Sequence, residues 1–152
     1  MSQKAKALGE RAEKRVRNIL SSQGATMFDE KKIYPDFISD IIDNELSGVS
    51  SNEYAIEVKT TSGYGGSDRI GKFVISREEF EAYEKLSEKY KVLLILEIRP
   101  RGYSWHNYIY IVVPWENIKD RFIKTMPSQL TLSIWWAILN GHKLRDWLNY
   151  GC

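Results

Sequence analysis

Two short runs in this chain, Pro35-Asp36-Phe37-Ile38 and Ile56-Glu57-Val58-Lys59, combine β-branched and aromatic residues with charge. Both read as strands, with the polar stretch Asp43-Asn44-Glu45-Leu46-Ser47-Gly48 between them as a turn region. Side chains alternate across a strand, so Glu57 and Lys59 share one face while Ile56 and Val58 share the other. A hairpin-like return brings Asp36 beside Glu57, and two carboxylates and an ammonium then meet at one spot. Charge is costly to bury unless it is paired or bound to metal. A hard divalent cation, which takes oxygen ligands, suits such a spot.

The rest of the chain can build a core around it. Its 152 residues point to a single folding unit, 43% hydrophobic and 28% charged, which is globular composition. The one cysteine, Cys152, rules out a disulfide framework or a cysteine-based zinc site within one chain and suits a reducing, cytoplasmic setting. The polar N-terminus has no signal-peptide pattern, and no apolar run reaches the length of a membrane span. A net charge of +2 does not by itself announce nucleic acid, so local charge matters more.

Residues 4–20 read as a helix, with Leu8, Ala12, Val16, Ile19 and Leu20 at helical spacing and Gly24 as its stop. Lys4, Lys6, Arg11, Lys14, Arg15 and Arg17 give it six positive charges, either a solvated face or a face for phosphates. Glu13 lies on the inward stripe, where an i,i+4 pair with Arg17 is its plain explanation. Ser76 with Glu79 forms a capping box for a helix running to about residue 89, with Phe80, Tyr83 and Leu86 inward. Val92-Leu93-Leu94-Ile95-Leu96 reads as a strand covered on both faces, and residues 108–113 as another. His106 reads as a loop or edge residue and His142 as surface. Gly66-Ser67-Asp68-Arg69-Ile70-Gly71-Lys72 matches most of a P-loop, but Phe73 stands where a magnesium-binding hydroxyl belongs and a strand follows instead of a helix. The tail reads as a helix over 114–124, a second from Pro127-Ser128 with Leu132, Trp135, Trp136 and Leu139 at helical spacing, and a short third marked by Leu144, Trp147 and Leu148.

Pro35-Asp36 followed by Glu57-Val58-Lys59 resembles the signature of the PD-(D/E)xK nuclease superfamily. Glu30-Lys31-Lys32 fits the second half of that signature too, but in a polar run without strand character. The run from Gly9 to Leu20, closed by Gly24, resembles the first helix of archaeal Holliday-junction resolvases, in which a glycine precedes the metal-site glutamate by four positions and a leucine follows it by seven. Glu13 meets each spacing and Glu10 does not. The resemblance covers about residues 5–113. It implies an α/β, restriction-endonuclease-like core, with a central mixed β-sheet flanked by helices, from which the extra C-terminal helices read in the tail depart. It divides the chain into a nuclease core, 1–113, and a helical extension, 114–152, packed on the core or at a dimer interface. It further implies a Mg²⁺-dependent deoxyribonuclease, with Mn²⁺ able to substitute. Asp36, Glu57 and the Val58 carbonyl would hold the ion, and Glu13 a second ion or its water. Lys59 would orient or help deprotonate the attacking water and stabilise charge developing on phosphate. The implied partner is DNA, possibly branched, contacted by Lys4, Lys6, Arg11, Lys14, Arg15, Arg69 and Lys72. Resolvases cut two strands symmetrically, which implies a homodimer, and the large apolar residues of the tail offer a patch for it.

Three other readings compete. The tract from Glu57 through Phe73-Val74-Ile75-Ser76 to Glu79 also resembles restriction-associated members of the superfamily, so a restriction- or repair-type nuclease is the first alternative. A catalytically inactive DNA-binding module is the second, against which all four charged positions are present. A plain α/β domain with a chance motif is the third.

Overall fold

The computed structural model describes residues 3–30, 32–40, 53–60, 72–98, 108–126, 129–144 and 147. It begins with helix α1, Gln3–Ser22, which buries Ala12, Val16 and Leu20 along one stripe. Gly24 ends it at φ +89°, a conformation a side chain resists, and the amide of Ala25 closes back on the Leu20 carbonyl at 3.0 Å. Strands β1 (Met27–Phe28), β2 (Phe37–Ser39), β3 (Tyr54–Thr60) and β4 (Lys72–Ser76) follow, then helix α2 (Arg77–Leu86). Strands β5 (Lys91–Ile98) and β6 (Ile109–Pro114) lead to helix α3 (Trp115–Ile118) and a 3-10 turn at Lys119–Arg121. Strands β7 (Ile123–Met126) and β8 (Gln129–Ser133), helix α4 (Ile134–Asn140) and strand β9 (His142–Lys143) complete the order.

A six-stranded sheet, β1-β2-β3-β5-β6-β9, forms the centre. The β3–β5 pair is parallel, from Tyr54 beside Lys91 to Thr60 beside Glu97, and the other pairs are antiparallel. A parallel pair needs a crossover, which the segment containing β4 and α2 supplies, and both its faces are then covered. On one face Tyr54, Ile56, Val58, Leu93, Ile95 and Val112 pack with the buried stripe of α1. On the other, Ala55, Val92, Leu94, Leu96 and Val113 pack with Tyr83 of α2, Trp115 of α3, and Phe73, Ile75 and Leu132 of a second sheet. That sheet, β4-β8-β7, is three-stranded and antiparallel. This is the expected mixed sheet flanked by helices. No described helix is long and apolar enough to cross a membrane.

The tail departs from its helical reading. The helix expected over 114–124 stops at Ile118, and the residues from Ile123 are extended. The helix expected from Pro127-Ser128 starts only at Ile134, capped by the Ser133 side chain, because Gln129-Leu130-Thr131-Leu132-Ser133 alternates polar and apolar and pairs with β4, Ser133 beside Lys72 and Gln129 beside Ser76. Leu132 is buried, Trp136 and Trp147 pack partly against the two cores, and Leu139 is 79% exposed. His142 lies at the surface, as expected. The side chain of Trp135, together with His106, Leu148, Cys152, the turn region 43–48 and the glycine-rich stretch 63–71, lies outside the described residues.

Candidate active site

The antiparallel register sets Phe37 against Ile56, which places Asp36 against Glu57. The pairing is held by the Val58 amide, which donates to the Asp36 carboxylate at 2.8 Å. Burial pushes the Asp36 carboxyl up to about 6, against the Val58 hydrogen bond that lowers it, and the charge of Glu13 adds to the rise. Glu57 is only 2% exposed. Its carboxyl is raised well above the ordinary range, first by burial and then by the charge of Asp36. One Glu57 oxygen lies 3.4 Å from the Tyr83 hydroxyl, and the other, Oε1, is buried without a hydrogen-bond partner. Leaving a buried acceptor unmet costs about 1–3 kcal/mol, more for a charged group. Two carboxylates are thus held side by side at an energetic cost.

Lys59, two residues along β3, carries the opposing charge to the same face. Its ammonium is ion-paired with Glu79 of α2. Burial alone would raise the Glu79 carboxyl, but the charge and hydrogen bond of Lys59, with bonds from Tyr83 and the Ser76 amide, hold it below the ordinary range. Tyr34, just before Pro35, is raised by burial and then by Glu79, Glu78, Glu57 and Asp36, so its hydroxyl lies in the same negative field.

Glu13 reaches the site from the other side of the sheet. Arg17 donates to its carboxylate at 3.0 Å, the i,i+4 pair expected of a plain helix. The same guanidinium donates to the Asp36 carbonyl at 3.1 Å, pairs with Asp29, and lies over the Phe37 ring at 4.3 Å. Glu13 is therefore both a helix ion pair and a charge felt at Asp36.

The basic residues divide. Lys6, Arg11 and Lys14 are exposed on α1. Arg15 is not simply a surface cation: it makes two 2.8 Å hydrogen bonds to Glu97, a residue with no exposed surface. Thr60 and Tyr110 each donate to the same carboxylate at 2.9 Å. The Arg15 guanidinium also lies over the Tyr108 ring at 4.4 Å. Glu97 and Glu79, like Tyr34 and Tyr83, lie at or beside the site although the sequence reading assigned them no role there. Glu97 had one signal, a lone acid in an otherwise apolar strand. Arg69 and the side chains of Lys4 and Lys72 lie outside the described residues.

The donor set can be tested against a metal. Among the described residues, no group of three or more histidine, cysteine or acidic side chains is arranged to hold an ion. Magnesium commonly needs only one or two carboxylates and keeps several waters. Asp36 and Glu57, with raised pKa values and an oxygen lacking a partner, fit that requirement, and a cation there would relieve the repulsion between them.

Among solved structures, the chain is similar to the Holliday junction resolvase from the archaeal hyperthermophile Archaeoglobus fulgidus, with a TM-score of 0.57 over 91% of this chain and 93% of that one, at 16% identity. At that identity the likeness is one of fold, and the fold is that of a resolvase-type nuclease. The chain belongs to the family described as "Protein NO VEIN, C-terminal", which matches residues 11–111. The matched span includes Glu13, Asp36, Glu57, Lys59 and Glu79. No curated protein sequence matches the chain.

The Asp36 shift predicts a stability trend in buffer free of divalent cations. Between its ordinary 3.8 and about 6, the folded protein holds more protons at Asp36 than the unfolded chain does. Stability therefore falls as pH rises through that window and stays lower above it. Asp36→Asn keeps an oxygen for the Val58 amide and removes the charge. Denaturant melts should show it gaining on the wild type from pH 4 upward, to an advantage of about 2–3 kcal/mol at pH 7. No gain across the window would mean that the Asp36 charge carries no such cost.

Proposed function

We propose that the protein is a metal-dependent nuclease that hydrolyses DNA phosphodiester bonds, of the resolvase type. The observation that carries this reading is the cross-strand placement of the half-buried Asp36 and the buried Glu57, one of whose oxygens lacks a partner, with Lys59 next along the same face. A cluster that costs the fold energy is better explained by chemistry than by stability. Asp36 and Glu57, joined by the Val58 carbonyl, would hold Mg²⁺ or Mn²⁺, and Glu13 stands in reserve on its ion pair with Arg17. When bound, the ion supplies charge neutralisation at the phosphate and a water of lowered pKa. Lys59 orients the attacking water and donates to the phosphate oxygen as charge develops there. No side chain of the site needs to form a covalent intermediate.

Cleavage assays with Mg²⁺ on four-way junctions, duplex, flaps and single strands test this. Asp36→Asn, Glu57→Gln and Lys59→Ala should each remove cleavage, by about 100-fold or more, while the chain stays folded. Glu13→Gln should reduce it strongly and Glu10→Gln should not. Retained cleavage in any of the first three variants would sink the site assignment, and sensitivity at Glu10 alone would move the α1 alignment by a turn.

DNA would lie along α1, where Lys6, Arg11 and Lys14 are exposed. Neutralising two of these should weaken binding equally across sequences and lower the slope of log affinity against log salt by about 2. An unchanged slope would leave them as solvated surface. Symmetric cutting needs a second copy, and Leu139, 79% exposed on α4, supports a contact there. Sedimentation of the wild type at micromolar concentration should show a dimer and Leu139→Glu a monomer. A monomeric wild type removes the dimer, and a dimeric Leu139→Glu variant moves its interface.

A further inference from the structure

Ala55, Glu57 and Lys59 alternate onto the sheet face covered by α2. Glu57 meets Tyr83 there and Lys59 meets Glu79. Glu79 and Tyr83 are four residues apart, one helical turn, which rises about 6 Å. Glu57 and Lys59 are two strand residues apart, about 6.6 Å. The two repeats match, so one turn of α2 runs alongside both residues of the Glu-x-Lys strand.

The two Glu79 oxygens have separate tasks. Oε1 accepts the Ser76 amide at 3.2 Å, while the Glu79 amide donates to the Ser76 hydroxyl at 3.0 Å, which completes the capping box. Oε2 faces Lys59 and accepts the Tyr83 hydroxyl at 2.9 Å. The first contact fixes the carboxylate at the helix start, and the second leaves one oxygen aimed at the sheet. The Lys59 and Glu79 side chains are 23% and 16% exposed, and Tyr83 is fully buried. An ion pair so sheltered is much less screened than one at the surface. Ordinary capping does not require this arrangement, because a capping box is complete with Oε1 alone.

We propose that Glu79 is a positioning residue that holds and aims the Lys59 ammonium, with Tyr83 as its brace. The N-terminus of α2 would then set the direction of the site lysine. The role of Lys59 in turnover rests on the nuclease reading, but the contact itself does not. Groups that orient site residues without touching substrate commonly matter by factors of 10–100.

Glutamine also completes a capping box, so Glu79→Gln removes the charge and leaves the cap. The decisive readout is the ¹⁵N ammonium spectrum of the metal-free protein, with Lys59 assigned by its loss in Lys59→Gln. In the wild type, Lys59 should give a slowly exchanging, resolved signal distinct from surface lysines. Glu79→Gln should collapse it into the exchange-broadened group, and Tyr83→Phe should shift it without abolishing it. Should Glu79→Gln fail to fold, Glu79→Asp, whose shorter carboxylate cannot span Ser76 and Lys59, should weaken the signal likewise. A wild-type Lys59 signal indistinguishable from other lysines, or one unchanged in the Glu79 variant, overturns the proposal. In cleavage, Glu79→Gln should lower kcat about tenfold or more with little change in KM, and unchanged kcat in an active enzyme also overturns it. A wild type inactive with Mg²⁺ and Mn²⁺ would defeat the nuclease reading alone, and the ammonium spectrum would still decide the assignment.

Discussion

The parallel pairing of β3 with β5 is the constraint from which the architecture follows. Parallel neighbours cannot be joined by a tight turn, so the chain must leave the sheet and cross one of its faces. Both faces of the pair are then buried, which is why its strands are mostly apolar through their centres, with Glu57 as the exception, and carry further polar residues toward their carboxyl ends. Glu57 is the middle residue of β3, and Lys59, Thr60 and Glu97 fall toward those ends. In open α/β sheets this is the end at which ligands bind. Lys59 keeps some exposure there, whereas Glu57 and Glu97 are buried, with α1 packed on one face of the sheet and α2 on the other.

How much of this was legible depended on whether the signal was local. The alternation in Tyr54–Thr60, the apolar run of β5, the stripe of α1 and the Ser76–Glu79 box are each readable within a few residues, and each formed as expected. The tail misled because Leu132, Trp135, Trp136 and Leu139 match helical spacing, although Leu132 belongs to β8 and only the later three lie in α4. Period two over five residues competed with period 3.6 over eight, and pairing with β4 decided between them. The Arg15–Glu97 pair spans 82 positions in sequence and carries no local signal beyond the oddity of an acid among apolar neighbours.

Glu13 forms the i,i+4 ion pair with Arg17 and also adds to the negative field at Asp36. Arg17 holds the Glu13 carboxylate and the Asp36 carbonyl at once. The same arginine, packed on Phe37, ties α1 to the strand that bears Asp36. Lys59 and Glu79 form the corresponding tie on the opposite face. Each side of the sheet thus contributes one cation already committed to an acid, and the charges of Asp36 and Glu57 are only partly offset.

The late arrival of β8 has a consequence for synthesis. Strand β4 leads directly into α2, yet its partner lies some sixty positions further along, Phe73 beside Leu132 and Ser76 beside Gln129. Leu132 and Ala137 close the same apolar cluster that holds Tyr83. Contacts so distant in sequence form slowly, and they cannot form at all until the later segment exists. On the ribosome, the first helix and the β2–β3 pair can come together early, while the small sheet cannot be completed until the tail has emerged. The apolar cluster that Leu132 and Ala137 close around Tyr83 is therefore completed only when the last strand of the small sheet arrives.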